Sequence, residues 1–136
     1  MSAGQPRAHD SALLHATGRA QYTDDIPLPA GTLHVAFGVS PVAHGRLRSL
    51  DLSAVLASPG VVAVATAADI PGENNYGAAI HDDPVFATEE LAYHGQPLFA
   101  VAATTHDLAR RAARAFKADI EELPALLDIR SALAAR

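Results

Sequence analysis

Apolar side chains recur along this chain in two rhythms, every second residue and every third or fourth, and the switches between them predict its elements. From Leu33 to Val39 the side chains of Val35, Phe37 and Val39 fall on one side of a strand, and His34, Ala36 and Gly38 on the other. Leu47 stands between Arg46 and Arg48 in the run to Leu52, the alternation of a second strand with one wet face. A short helix follows: Asp51 or Ser53 offers a cap, Val55 and Leu56 an apolar side, and Ser58-Pro59-Gly60 a stop. Val61 to Thr66 is then a β-branched strand, expected to be buried on both faces.

The same order returns later in the chain. Leu98 to Ala103 has the pattern of a buried strand, and Thr105 caps a helix with Asp107 in its first turn. Leu108, Ala109, Ala112, Ala113 and Phe116 share one face of that helix, with Arg110, Arg111, Arg114 and Lys117 around the rest. Ala118 to Leu123 returns as a strand, and Asp128 caps a last short helix over Ile129 to Ala135. Two strand–helix–strand units with extra strands imply an α+β domain built on a mixed sheet. Residues 1–32 read as an extended lead-in around Asp24-Asp25-Ile26-Pro27-Leu28-Pro29. Ile70 to Phe86 is turn-rich, through Pro71-Gly72, Asn74-Asn75, Gly77 and Asp82-Asp83-Pro84, and is the place to look for a ligand edge or partner contact.

A length of 136 residues suits one compact core, and thirty alanines with no Trp make that core thin in bulky side chains. The net charge of -5, without a broad basic face, argues against nucleic acid as a partner. Absence of cysteine excludes disulfides, thiolate zinc sites, thiol nucleophiles and cysteine-ligated iron–sulfur clusters on this chain. Met1 to Leu14 lacks the continuous apolar run of a secretory signal, and no segment approaches the roughly 18 apolar residues of a membrane span, so no membrane role and a cytoplasmic location are expected.

Candidate chemistry is sparse. His81-Asp82-Asp83 is the best local set of metal ligands, but Pro84 makes an ordinary turn the simpler account. Asp24-Asp25 and Glu121-Glu122 are adjacent pairs whose side chains point apart on an extended chain, so no acid/base role is assigned. Ser40, Ser49, Ser53 and Ser58 have turn or cap explanations and no nucleophile elbow surrounds them. No phosphate-loop glycine pattern occurs. Arg110, Arg111 and Arg114 are either the wet face of a helix, the simpler account, or a grip for an acidic partner. No catalytic, cofactor-binding or metal-binding residue is assigned.

Several short motifs nevertheless occur in a recognisable order. Thr17-Gly18-Arg19-Ala20-Gln21-Tyr22-Thr23-Asp24-Asp25-Ile26-Pro27 is followed by Pro59-Gly60-Val61-Val62-Ala63-Val64 and Thr66-Ala67-Ala68-Asp69-Ile70-Pro71-Gly72. Asp82-Asp83-Pro84-Val85-Phe86-Ala87, Gly95-Gln96-Pro97, Ala112-Ala113 and Glu122-Leu123-Pro124-Ala125 complete the series. From about His15 to Leu133 the chain resembles the α/β hammerhead domain of the xanthine dehydrogenase and aldehyde oxidase family. His9-Asp10-Ser11-Ala12 before Leu14-His15 resembles the leader of separate bacterial molybdenum subunits, which favours the xanthine dehydrogenase branch over aldehyde oxidase or carbon monoxide dehydrogenase relatives.

The resemblance implies residues 1–14 as leader and 15–136 as a hammerhead domain, one portion of a larger molybdenum-binding subunit. It implies hydroxylation of hypoxanthine and xanthine to urate with electrons passed to NAD. The parent would use molybdenum–molybdopterin, with iron–sulfur clusters and FAD on partner domains or a partner subunit. Its partners would be the remainder of the molybdenum-binding subunit and the iron–sulfur/FAD subunit. In the family the catalytic and cofactor-contacting residues lie beyond this stretch, so the domain alone is expected to be inactive. Gly77-Ala78-Ala79-Ile80-His81 resembles a segment lining the substrate funnel, with Ala79, Ile80 and His81 as wall residues, although small Ala78 and Ala79 and one extra position depart from the family pattern. A free-standing hammerhead interaction module without catalysis is the competing reading.

Overall fold

The computed structural model describes residues 4–135, so the first three positions of the expected leader and Arg136 lie outside the described residues. The chain packs as two units, Met1–Thr32 and Leu33–Arg136. In the first, the expected extended lead-in contains a short helix, α1 (Ala12–Ala16), and a single 3-10 turn at Thr23–Asp25. Alanine and leucine in Ala12-Leu13-Leu14-His15-Ala16 are strong helix formers, and Thr17 ends the turn by donating its hydroxyl to the Leu13 carbonyl at 2.7 Å.

The second unit carries strands β1 (His34–Val39), β2 (Gly45–Asp51), β3 (Val61–Ala65), β4 (Glu90–Leu91), β5 (Pro97–Ala103) and β6 (Lys117–Glu122). Its helices are α2 (Ser53–Leu56), α3 (His106–Ala112) and α4 (Ile129–Ala134). The strands form two three-stranded sheets in the orders β1-β5-β3 and β4-β2-β6, with every pairing antiparallel. The α+β hammerhead class holds, but the expected single mixed sheet is replaced by these two. Each strand–helix–strand unit leaves one sheet and enters the other: β2-α2-β3 in one direction, β5-α3-β6 in the reverse. The link from Asp51 to Val61 is shorter than the dozen or so residues that a parallel crossover requires.

Packing centres on β5, where Leu98, Phe99, Val101 and Ala103 are buried. Phe99 meets Phe116 edge to face, ring centroids 5.5 Å apart. On its other side the Phe99 ring lies over its register partner Gly38, where an added Cβ would come within 2.0 Å of a ring carbon. Ala109, Ala112 and Ala113 bring α3 close to the same sheet. The side of β1 that packs inward is therefore the small one, Ala36 and Gly38, while Val35 and Phe37 are 53% and 55% exposed.

Two further expectations give way. β3 is not buried on both faces: it is an edge strand with β5 as its one partner, and a bulge between Val61 and Ala63 leaves Val62 exposed while Val61 and Val64 are half-buried. The α3 helix stops at Ala112, short of Phe116, because the N–H groups of Arg114 and Ala115 bond three residues back, tightening the last turn. In β2 a bulge makes Arg48 the extra residue, so Leu47 and Leu50, three apart, both reach the half-buried side. β4 carried no period signal in its two residues.

Side-chain oxygens set the starts of α3 and α4, whereas α2 has Leu52 at its N-cap with no side-chain cap in place of the expected Asp51 or Ser53, although Asp51 accepts from Ser53 N–H at 2.9 Å. Thr105 caps α3 by accepting from Leu108 N–H, and Asp128 caps α4 by accepting from Arg130 and Ser131 N–H at 2.9 and 3.0 Å. Hydrogen bonds from the Ser131 hydroxyl and N–H hold Asp128 below the ordinary 3.8; those from Ser53 do the same for Asp51. Asp69 is likewise lowered by the N–H and hydroxyl of Thr66.

Gly38→Ala forces Phe99 off its seat and is expected to destabilise the chain by about 1–3 kcal/mol in urea unfolding; unchanged stability contradicts the seat. The three lowered carboxylates stabilise the fold above their unfolded value, and that contribution is lost as pH falls through the lower folded values. The Tm is therefore expected to drop below about pH 4, and less steeply in Asp69→Asn, whereas an identical acid limb in the variant contradicts the capping role.

Candidate functional site

The turn-rich segment folds as a loop pinned at its base and open at its tip. Asn74 makes the pin: its Nδ2 donates to the Phe86 carbonyl at 2.8 Å and its Oδ1 accepts from Phe86 N–H at 3.0 Å. One side chain thus satisfies both backbone groups of a buried residue twelve positions away. Ala87 N–H then bonds to the Pro97 carbonyl at 2.8 Å, tying the loop to β5. Higher up, Tyr76 N–H reaches the Asp83 carbonyl at 3.0 Å, and Asn75 Oδ1 accepts from Gly77 N–H at 2.7 Å. Only glycine suits position 77, because a Cβ would stand 2.0 Å from the Ile80 carbonyl oxygen.

Ala78, Ala79, Ile80 and His81 form the exposed tip, with Ile80 70% exposed. His81 Nδ1 lies 3.4 Å from Glu73 Oε1 across the loop. Among the described residues no three His, Asp or Glu side chains converge on a point that would hold a metal. No buried side-chain nitrogen or oxygen lacks a hydrogen-bond partner there either. The tip therefore offers an apolar residue and an imidazole to a neighbour, with no nucleophile–base pair behind them.

Several of the other polar candidates are structurally engaged. Asp25 accepts from Tyr22 N–H at 3.0 Å. Asp69 accepts from both the N–H and the hydroxyl of Thr66, each at 2.8 Å. Both Asp-Ile-Pro motifs are thus the same device, a 3-10 turn whose Asp reaches three residues back before an extended Ile ahead of Pro. Glu121 is bracketed by Arg46 at 3.6 Å and by Arg48. Ser40 is buried, donating to the Val42 carbonyl and accepting from its N–H, and the Ser58 hydroxyl donates to the Ala54 carbonyl. Ser49 and Ser53 are exposed. Arg111 pairs with Asp107 at 2.9 Å.

Sequence reasoning missed two positioning residues. Asn74 was legible only as a turn former, since its partner lies twelve positions away. Gln96 is buried and accepts from Ala92 N–H at 2.8 Å, closing the turn between β4 and β5. Its signal was the Gly95-Gln96-Pro97 motif, which named the position without its role. Among the described residues a concavity of about 270 Å³ lies beside Leu47, Leu50, Thr66, Ala87, Thr88 and Leu98. Its lining includes Arg48, which is committed to Glu121, and otherwise holds no acid or base and no nucleophile beyond the hydroxyls of Ser49, Thr66 and Thr88.

The family model for the aldehyde oxidase and xanthine dehydrogenase a/b hammerhead domain matches residues 17–124, and the chain belongs to that family. It is 44% identical over 132 residues to a xanthine dehydrogenase of Oryza sativa subsp. japonica, covering 97% of this chain and 10% of the relative. Aldehyde oxidase 4 of Cavia porcellus is 42% identical over 131 residues, covering 96% of this chain and 10% of the relative. Among solved structures, the aldehyde oxidoreductase of Desulfovibrio desulfuricans superposes with a TM-score of 0.84 at 29% identity, covering 92% of this chain and 15% of that one. The carbon monoxide dehydrogenase of Oligotropha carboxidovorans gives 0.79 at 34% identity, covering 92% and 16%. The chain spans about a tenth of the length of these curated relatives.

Removing the pin tests the loop. Asn74→Ala leaves the Phe86 N–H and carbonyl without their partner and is expected to cost about 1–3 kcal/mol and to speed proteolytic cleavage within residues 75–83. Unchanged stability and cleavage rate would show that the loop is held some other way.

Proposed function

We infer that this chain is the hammerhead portion, with residues 1–14 as leader and the domain from residue 15, of the molybdenum-binding part of a bacterial xanthine dehydrogenase. The parent would oxidise hypoxanthine and xanthine to urate in the cytoplasm and pass electrons to NAD. The observation that carries this reading is the 44% identity to a xanthine dehydrogenase across 97% of the chain but only 10% of the relative. A chain matched over nearly its whole length within a much longer enzyme is what a domain of such an enzyme would give.

The parent's iron–sulfur clusters do not fit this chain's own residues, and no seat for its molybdenum–molybdopterin or FAD is marked among the described ones. The chain has no cysteine for a cluster, and among the described residues no polar side chain is buried without a partner and no acidic or histidine cluster could serve as a metal cradle. Those groups belong to the remainder of the molybdenum-binding subunit and to an iron–sulfur/FAD subunit. The domain's own contribution is a wall. Exposed Ile80, flanked by Ala79 and His81 on a loop fixed at its base, suits the rim of the substrate funnel, where an apolar side chain excludes water and sorts planar substrates by fit. The near-equal identity to aldehyde oxidase 4 supports a second reading, in which the parent acts on aldehydes instead.

The purified 136-residue chain is expected to show no xanthine-dependent urate formation, and the longer protein that contains it is expected to show that activity with NAD reduction. In the longer protein Ile80→Ala should raise KM for xanthine several-fold with little change in kcat. Turnover by the chain alone overturns the domain reading, turnover of aldehydes but not xanthine selects the second reading, and an unmoved KM removes Ile80 from the funnel.

A further inference from the structure

Among the described residues the free edge of β1 sets exposed apolar side chains beside arginines that make no ion pair. β1 pairs with β5 on one side only. Val35, Phe37 and Val39 project from it exposed, with no Lys, Glu or Pro in the strand to guard the edge against another chain. A groove of about 430 Å³ runs along it, with Ala36 and Phe37 on one wall and His106, Arg110, Ala113 and Arg114 of the α3 side on the other. Arg111 is paired with Asp107, but neither Arg110 nor Arg114 takes part in an ion pair among the described residues.

We propose that this groove takes an extended acidic segment from the remaining polypeptide of the longer protein, added as a fourth strand beside β1. Main-chain groups of the incoming strand would pair with the open edge. Its alternating apolar side chains would cover Val35, Phe37 and Val39, and its carboxylates would meet Arg110 and Arg114. The charges select this occupant over a second copy of the chain. A two-fold β1–β1 pairing would bring Arg110 and Arg114 of both copies along one groove, where like charges oppose association. The identity of the occupant as parent polypeptide rests on the domain reading above; the acidic-strand chemistry does not.

The test uses the 136-residue chain, isotope-labelled, and two capped hexapeptides, one alternating Glu and Val and the other Lys and Val. The acidic peptide is expected to shift the β1 amides from His34 to Val39, and the basic peptide to leave them unmoved. The double variant Arg110→Glu and Arg114→Glu, both at exposed positions, should weaken the acidic peptide at least about tenfold without changing the Tm. Silence of β1 with both peptides, or equal binding of both, overturns the proposal, as does concentration-dependent shifting of β1 without peptide, which would assign the edge to a second copy. In the longer protein the same amides should exchange with solvent at least about tenfold more slowly than in the chain alone, and equal rates overturn the assignment to parent polypeptide. Xanthine turnover by the longer protein is read separately, so a failed peptide titration leaves the family function standing, and a parent with other chemistry leaves the peptide result standing.

Discussion

The seating of the Phe99 ring between Gly38 and Phe116 is the contact on which the larger unit depends. Phe99 lies on the central strand of one sheet, Gly38 on its edge strand, and Phe116 at the turn from α3 into β6 of the other sheet. One aromatic side chain therefore joins three elements that are distant in sequence. A chain with thirty alanines and no Trp has few bulky side chains to spare for a core, so the loss of a ring's worth of packing is not easily replaced. The alanines make up the difference geometrically. Ala109, Ala112 and Ala113 bring the helix close enough that a single layer of large residues on β5 fills the gap.

Such economy inside explains what is left outside. With the small residues of β1 turned inward, its large ones, Val35 and Phe37, face solvent. The C-terminal segment behaves likewise: α4 buries no residue, and Leu127 and Ile129 are 79% and 80% exposed. Scattered apolar side chains on a surface are ordinary, whereas apolar side chains gathered on one strand or helix face are the kind of surface that other polypeptide covers. A chain that spans a tenth of its relatives' length is the setting in which such faces are expected.

Much of this was legible in the sequence, because local physics decided it. The Thr105 and Asp128 caps, the stop at Ser58-Pro59-Gly60 and the buried run Leu98 to Ala103 each depend on neighbours within a few residues, and each formed as read. What failed was non-local. Val62 and Val64 look alike in sequence, and only the place of β3 at the edge of a sheet and its bulge separate them. Strand–helix–strand order suggested mixed pairing, whereas the sheet-to-sheet path of each unit made all pairs antiparallel. At the candidate loop, Gly77 and the turn residues announced irregularity, but the pin from Asn74 to Phe86 spans twelve positions with no periodic signal. Ile80 was placed by resemblance alone, since one exposed isoleucine has no local signature.

In the proposed function this chain lends a wall to chemistry carried elsewhere in a xanthine dehydrogenase family enzyme. An experimental structure of the longer natural polypeptide, solved with substrate bound, tests it most directly. It should show both antiparallel sheets intact, Phe99 still seated on Gly38, and the loop from Tyr76 to Asp83 facing the passage to the bound substrate. A rearranged sheet order, or that loop turned to bulk solvent away from the substrate, would contradict the account.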